Sequence, residues 1–213
     1  VQGLFGSTAC QASGPDVGPP SAAELALLEP WRATLPAAVF GPGYQAPRTD
    51  GSHSLRGNLR EAQALLKDAG WRLGTDGILH NGQGQKLQLE YLESNEAGGR
   101  TFSPWARNLE KLGIKLELRL ADFALYQQRL QKFDFDVISL AYGGTHNPGQ
   151  EYADLFGSQA ASIEDSGNYA GVKNPAVDAL IARMAHAQST AELLPACRAL
   201  DRIISHSYYL LGQ

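Results

Sequence analysis

Five histidines (His53, His80, His146, His186 and His206) are the side chains best suited to proton transfer or metal ligation, and none has a second ligand two to four residues further on. That dispersal predicts no metal centre. His186 and His206 are expected on solvated helix faces, and His80 at a hairpin edge. Acidic neighbours such as Glu164-Asp165 read as solvated loop charge. The sequence contains no Gly-x-Ser-x-Gly elbow, no His-Glu-x-x-His, no Gly-x-x-x-x-Gly-Lys-Ser/Thr and no Gly-x-Gly-x-x-Gly after a strand. One segment differs: Tyr142-Gly143-Gly144-Thr145-His146-Asn147-Pro148-Gly149 directly follows an apolar run. Glycines there let a ligand approach backbone N–H groups, and Tyr142 offers a flat amphipathic surface. A plain turn that needs glycine for positive φ explains the same residues, and both readings stay open at this level. A catalytic alternative, an α/β hydrolase-like enzyme, pairs His146 with Glu151 or Asp154 as a base, but it needs a nucleophile or cofactor that the sequence does not display.

The elements that position this segment are legible from periodicity. Ser21-Ala22-Ala23-Glu24 matches a capping box, and Pro30 stops that helix near Glu29. Asn58 to Ala69 carries apolar residues at three- and four-residue spacings, with Gly70 as a stop. Trp71-Arg72-Leu73 and Ile78-Leu79-His80 flank an Asp-Gly hairpin signal. Lys86 to Leu92 and Ile114 to Leu120 alternate as strands, with a helix from Arg100 to Leu112 between them that holds Pro104 in its first turn. Asp122 caps a third helix. Phe135 to Ala141 reads as a strand buried on both faces. Strand, helix, strand, helix, strand predicts parallel βαβ units, and ligands gather at the carboxyl ends of such strands. Tyr142 to Asn174 is then a loop with one helical turn at Glu151 to Phe156, far longer than usual and hence a functional candidate. Helices return at Pro175 to Ala187, capped by Asn174, and at Thr190 to Ser207. The expected fold class is α/β with parallel βαβ units, a β-hairpin and two C-terminal helices. The expected organisation is an irregular wrapping segment with one short helix over 1–55 and an α/β lobe over 56–213.

Composition bounds the function. Of 213 residues, 43% are hydrophobic and 19% charged, a globular balance. A net charge of −4 offers no basic field for nucleic acid. No apolar run reaches the length of a spanning helix. Cys10 and Cys197 lie at opposite ends of the chain; two unpaired small hydrophobes is the favoured reading, with a bridge as the alternative in an oxidising compartment. Both ends read as cut, so a piece of a longer protein is expected.

Several stretches in order resemble one known family. Asn58-Leu59-Arg60-Glu61-Ala62-Gln63-Ala64-Leu65-Leu66-Lys67-Asp68-Ala69-Gly70-Trp71 is similar to a helix of the pattern Ala-x-x-Leu-Leu-x-x-Ala-Gly-Trp that precedes a hairpin. Asp76-Gly77, Gly82 through Leu89, Leu109-x-x-Leu112-Gly113-Ile114 and Phe135-Asp136-Val137 continue the likeness. Asn168-Tyr169-x-Gly171-x-x-Asn174-Pro175-x-x-Asp178-x-Leu180-Ile181 closes it. Together, over about Ser21 to Gln213, these resemble the extracellular solute-binding proteins of peptide-type ABC transporters (family 5). The YejA-like subset is suggested by Glu24-Leu25-x-Leu27-Leu28-Glu29-Pro30 and Asn147-Pro148-Gly149-Gln150-Glu151. The resemblance implies a periplasmic-binding-protein-like (type II) lobe, the C-terminal one of two, and a carrier rather than an enzyme. It implies capture of oligopeptides or peptide-like solutes in the periplasm of a Gram-negative bacterium and delivery to ABC permease subunits in the membrane. A monomer is expected, with no cofactor, no metal and no nucleic acid. The ligand contacts expected on this lobe are Tyr142, Gly143, Gly144, Thr145 and His146, with Asn168 and Tyr169 beside them; for Asn168 and Asn174, loop and cap structure is the plain alternative. Many relatives carry Trp-x-x-Asp after this strand, the acid pairing with a peptide ammonium. Here Tyr142 takes the aromatic place and the acid's place falls on Gly144 or Thr145. The counter-charge is then left to Glu151, to Asp154, to the other lobe, or to a ligand without a free amine.

Overall fold

The computed structural model describes residues 4–6, 8–49, 54–95, 98–142 and 148–212, with the side chains of 98–101 excepted. The chain divides into two compact units, one formed by Val1–Ala46 with Ala141–Gln213 and the other by Pro47–Leu140.

In the first unit, α1 (Ala22–Leu28) starts at Ser21, whose side chain accepts the Glu24 N–H as the capping box predicts. After α2 (Leu55–Asp68), α3 (Gly98–Glu110) and α4 (Phe123–Gln131) of the other unit, the chain returns through α5 (Tyr152–Phe156), α6 (Pro175–Ala185) and α7 (Thr190–His206). Asn174 caps α6 by accepting the Ala176 N–H, with Pro175 at the first helical position. The core lies among α1, α6 and α7: Leu28, Val177, Leu180, Ile181, Leu200, Ile203 and Ile204 are buried together. Phe5, Cys10 and Val39 of the irregular N-terminal stretch join it. α7 is buried almost all round, and its polar residues tie that stretch down. Asp201 accepts N–H groups from Leu4 (2.6 Å) and Ala12 (2.7 Å). Arg202 donates to the carbonyls of Gly18 (2.7 Å) and Gly41 (3.0 Å).

Cys10 and Cys197 form a disulfide, with Cα atoms 5.3 Å apart. This corrects the favoured reading of two unpaired thiols. A residue near the N-terminus meets α7 only through the wrapping of the irregular stretch, which leaves no periodic signal. His206 is a second correction. It is half-buried and stands edge-on to Tyr44 with ring centroids 5.7 Å apart, rather than on a solvated face, and burial lowers its pKa. His186 does lie on an exposed surface.

In the second unit, α2 (Leu55–Asp68) ends near Gly70, which adopts φ +91°. β1 (Arg72–Leu73) and β2 (Leu79–His80) form the predicted antiparallel hairpin, and His80 sits at its edge against Asp76. β3 (Gln88–Glu93), α3 (Gly98–Glu110) and β4 (Lys115–Leu120) build one parallel βαβ unit, in register from Gln88 opposite Lys115 to Glu93 opposite Leu120. The α3 face of this sheet forms a small core of Tyr91, Ala106 and Leu116, with Phe102 stacked on Tyr91. α4 (Phe123–Gln131) is capped by Asp122 as predicted.

Two expectations are corrected here. Pro104 lies inside α3 rather than in its first turn, because the helix begins at Gly98. The segment 135–141 is not a strand buried on both faces. It joins β3 through a single parallel bridge, Tyr91 to Val137, and is half-buried to exposed along its length. Its apolar run has a neighbour strand on one side only among the described residues, so hydrophobicity marks the segment without a sheet to enclose it.

Candidate functional site

Of the expected contacts, Gly143, Gly144, Thr145 and His146 lie outside the described residues. Tyr142, Asn168 and Tyr169 are described. Tyr142 leaves the apolar segment and packs half-buried against Phe156, ring centroids 5.5 Å apart. Phe156 continues to Tyr152 at 6.1 Å and Tyr152 to Phe5 at 5.2 Å, so α5 carries an aromatic row that fixes where Tyr142 can stand. The Tyr142 hydroxyl is buried with no hydrogen-bond partner among the described residues. Burial raises its pKa, and the neighbouring Tyr169 phenol adds to the rise. Two of the expected residues, Tyr142 and Tyr169, are therefore brought together.

Asn168 is placed differently. It is fully buried; its amide nitrogen donates to the carbonyls of Gly157 (2.9 Å) and Val172 (3.0 Å), and its oxygen accepts the Val172 N–H at 2.9 Å. Both donors are spent on backbone, so the side chain clips the 157–172 loop and offers no N–H to a solute. The plain alternative of loop structure accounts for Asn168 in full. The surrounding loop is organised in the same way. Asp154 accepts the Gly167 N–H at 3.0 Å, and a Cβ at Gly167 would sit 2.7 Å from that carboxylate, so a larger residue there would push the Asp154 side chain aside. Asp178 accepts the Ser158 N–H at 2.8 Å.

The catalytic alternative gains no geometry. Asp154 accepts the Gly167 N–H and Glu151 the Gly149 N–H, each at 3.0 Å, and His146, the partner that alternative needs, lies outside the described residues. Among the described residues no group of three His, Cys, Asp or Glu side chains could hold a metal ion. Among the described residues, no helix is long and apolar enough to cross a membrane.

Sequence reasoning missed the charged cluster inside the first unit. Arg202 is completely buried and donates from Nε to Glu24 at 2.8 Å; Arg198 donates to the other Glu24 oxygen at 3.0 Å. Burial by itself would raise the Glu24 pKa, but the bonds from Arg202, Arg198 and Ser21 outweigh it and hold the carboxyl below its ordinary value. The only signal was polar residues 198, 201 and 202 set within an otherwise apolar helix.

A model of the bacterial extracellular solute-binding proteins, family 5, middle region, matches residues 30–164. The chain belongs to this family. Its members are named for binding solutes, not for catalysis. The probable peptide-binding protein YejA of Agrobacterium fabrum is 38% identical over 196 residues, covering 92% of this chain and 32% of that protein. The peptidoglycan-binding protein YepA of the same organism is 33% identical, covering 88% of this chain and 30% of that protein. The chain thus spans about a third of the length of the curated relatives it matches. Among solved structures, the Bacillus subtilis oligopeptide-binding protein AppA, in complex with a nonapeptide, superposes with a TM-score of 0.61 at 21% identity, covering 70% of this chain and 30% of that one. At that identity the likeness is one of fold: an α/β, periplasmic-binding-protein-like part with helices and small sheets.

Proposed function

We propose that this chain is part of an ABC-transporter substrate-binding protein that captures oligopeptides or peptide-like solutes in the periplasm of a Gram-negative bacterium and presents them to membrane permease subunits. In this reading it acts as the C-terminal one of two lobes and as a monomer. The observation that carries it is the 38% identity, along 92% of the chain, with a probable peptide-binding protein. The nonapeptide held by AppA and the peptidoglycan named for YepA mark the breadth of solutes in such proteins. Ligand contact falls to Tyr142, Gly143, Gly144, Thr145, His146 and Tyr169. Asn168 holds the loop beneath. Peptide main chain meets backbone groups of the glycine segment, which gives sequence-tolerant affinity. The Tyr142 hydroxyl, buried without a hydrogen-bond partner among the described residues, is a donor that a solute acceptor can satisfy. Solute that bridges two lobes binds the closed state better than the open one and shifts the population toward it.

Calorimetric titration of the full-length protein with mixed tri- to hexapeptides tests this. Saturable micromolar or tighter binding is expected, and absence of any heat would refute it. Tyr142→Phe removes only the hydroxyl: binding should weaken about fivefold to tenfold, the worth of one hydrogen bond, while the melting temperature holds or rises. Unchanged affinity would remove Tyr142 from the contact set.

A further inference from the structure

The second unit carries a half-buried carboxylate, Glu93, for which the described residues supply no cation. Four acids of this unit sit against cations: Asp76 with Lys86, Glu90 and Asp134 with Arg129, and Glu117 with Lys115. Glu93 has no Lys or Arg partner among the described residues. It is the last residue of β3, half-buried, and shares a sheet face with Tyr91 because side chains alternate along a strand. Its Oε1 accepts the N–H groups of Ser94 (2.8 Å) and Asn95 (3.0 Å), and its Oε2 accepts the Tyr91 hydroxyl at 3.2 Å. The Tyr91 oxygen lies 2.7 Å from the Ser139 hydroxyl. Ser139 can therefore donate to Tyr91 while Tyr91 donates to Glu93, a relay with one proton at each link. Three neutral donors orient the charge, and none of them supplies a counter-charge.

The place of this group in the sheet gives it meaning. Glu93 stands at the carboxyl end of a parallel strand, opposite Leu120 in the register. At that same edge Leu120 is 47% exposed and Phe123, three residues on, is 69% exposed. Ser139 precedes Tyr142 by three residues. Carboxyl ends of parallel strands are where solutes lodge, and a fixed anion beside exposed apolar side chains suits a molecule with a cationic head and an apolar body.

We infer that this edge is a subsite for a cationic group of the captured solute, an ammonium or a guanidinium. Glu93 is its counter-charge, Tyr91 and Ser139 hold that carboxylate in place, and Leu120 and Phe123 carry the adjoining apolar part. The inference rests on the peptide-like solute proposed above. The test uses the full-length protein and its Glu93→Gln variant, which keeps the side chain's size and removes its charge. Both are titrated calorimetrically with two peptide sets of three to six residues, free-amine peptides containing lysine or arginine and N-acetylated, C-amidated peptides without charge. Glu93→Gln should weaken the cationic set about 10- to 100-fold and leave the uncharged set unchanged. Raising NaCl to 0.5 M should weaken the cationic set for the unaltered protein and not for the variant. Equal affinity of both proteins for both sets would overturn the subsite while the peptide reading stands. Failure of the unaltered protein to bind either set would overturn the peptide reading and the subsite with it. If Glu93→Gln does not fold, Tyr91→Phe, which frees the carboxylate from its orienting hydroxyl, should show the same selective loss of the cationic set in smaller degree, and no selective loss would overturn the inference.

Discussion

Replacing Glu24 by glutamine should be among the costliest single changes in the first unit. Arg202 is wholly buried and Glu24 nearly so, and the two meet at 2.8 Å. Arg198, a third exposed, can turn its guanidinium to water when Glu24 is changed; Arg202 cannot. Its remaining bonds, to the carbonyls of Gly18 and Gly41, satisfy two donors but supply no charge. Breaking a buried pair by removing one partner costs about 3–5 kcal/mol, because the other charge is left uncompensated. For a chain of this size that corresponds to a fall in melting temperature of roughly 6–20 °C, at about 2–4 °C per kcal/mol. Urea unfolding followed by far-ultraviolet circular dichroism reads the change directly. The sign with pH follows from the direction of the shift. The folded Glu24 carboxyl sits below its ordinary value of 4.5, so the pair's contribution is fully present above about pH 4.5 and is lost as pH falls through the folded value. The gap between the native protein and Glu24→Gln should therefore be widest near neutrality and close in acid. The double variant Glu24→Leu with Arg202→Met should recover part of the loss, since an apolar pair leaves no charge behind although the carbonyls of Gly18 and Gly41 lose a donor. A Glu24→Gln loss below about 1 kcal/mol at pH 7 would refute the reasoning that Arg202 depends on this partner.

Replacing both Cys10 and Cys197 by serine opens a link across 187 residues and should destabilise by up to about 5 kcal/mol through chain entropy; quantitative thiol titration of the native protein would instead deny the bridge. Asp201→Asn should cost about 1–3 kcal/mol, because the new amide faces the N–H of either Leu4 or Ala12 and leaves a donor unmatched. Burial raises the Asp201 pKa, so its own charge becomes a growing cost as pH climbs from 3.8 through the folded value, and the Asn variant should compare best at the high end of that window. Gly113 adopts φ +82°, and a Cβ there would lie 2.8 Å from the Leu73 methyl; Gly113→Ala should lower stability by about 2 kcal/mol or more, read as a shifted urea midpoint.

Local chemistry determined much of this protein before any long-range contact was considered. Ser21, Asp122 and Asn174 cap their helices because a short polar side chain ahead of an apolar period has few better uses, and Gly70 and Gly113 end theirs in the conformation that glycine alone takes without strain. The alternation of Lys86 to Leu92 and Ile114 to Leu120, with a helix between, sufficed for the parallel pair. The likeness of the ordered segments to a solute-binding family was legible for the same reason: each is a local signature. What the chain could not show in one dimension was which distant residues would meet. The wrapping of the N-terminal stretch over α7 decides that Cys10 reaches Cys197, that Asp201 receives N–H groups from nearly two hundred residues away, and that Arg202 is buried against Glu24 rather than solvated. Tertiary placement likewise turns Asn168 into a loop clip, brings Tyr169 to Tyr142, and sets Glu93 at the end of β3 with no cation beside it among the described residues. Periodicity encodes which face of an element is apolar; only the packed molecule decides what that face, or a charge set within it, finally touches.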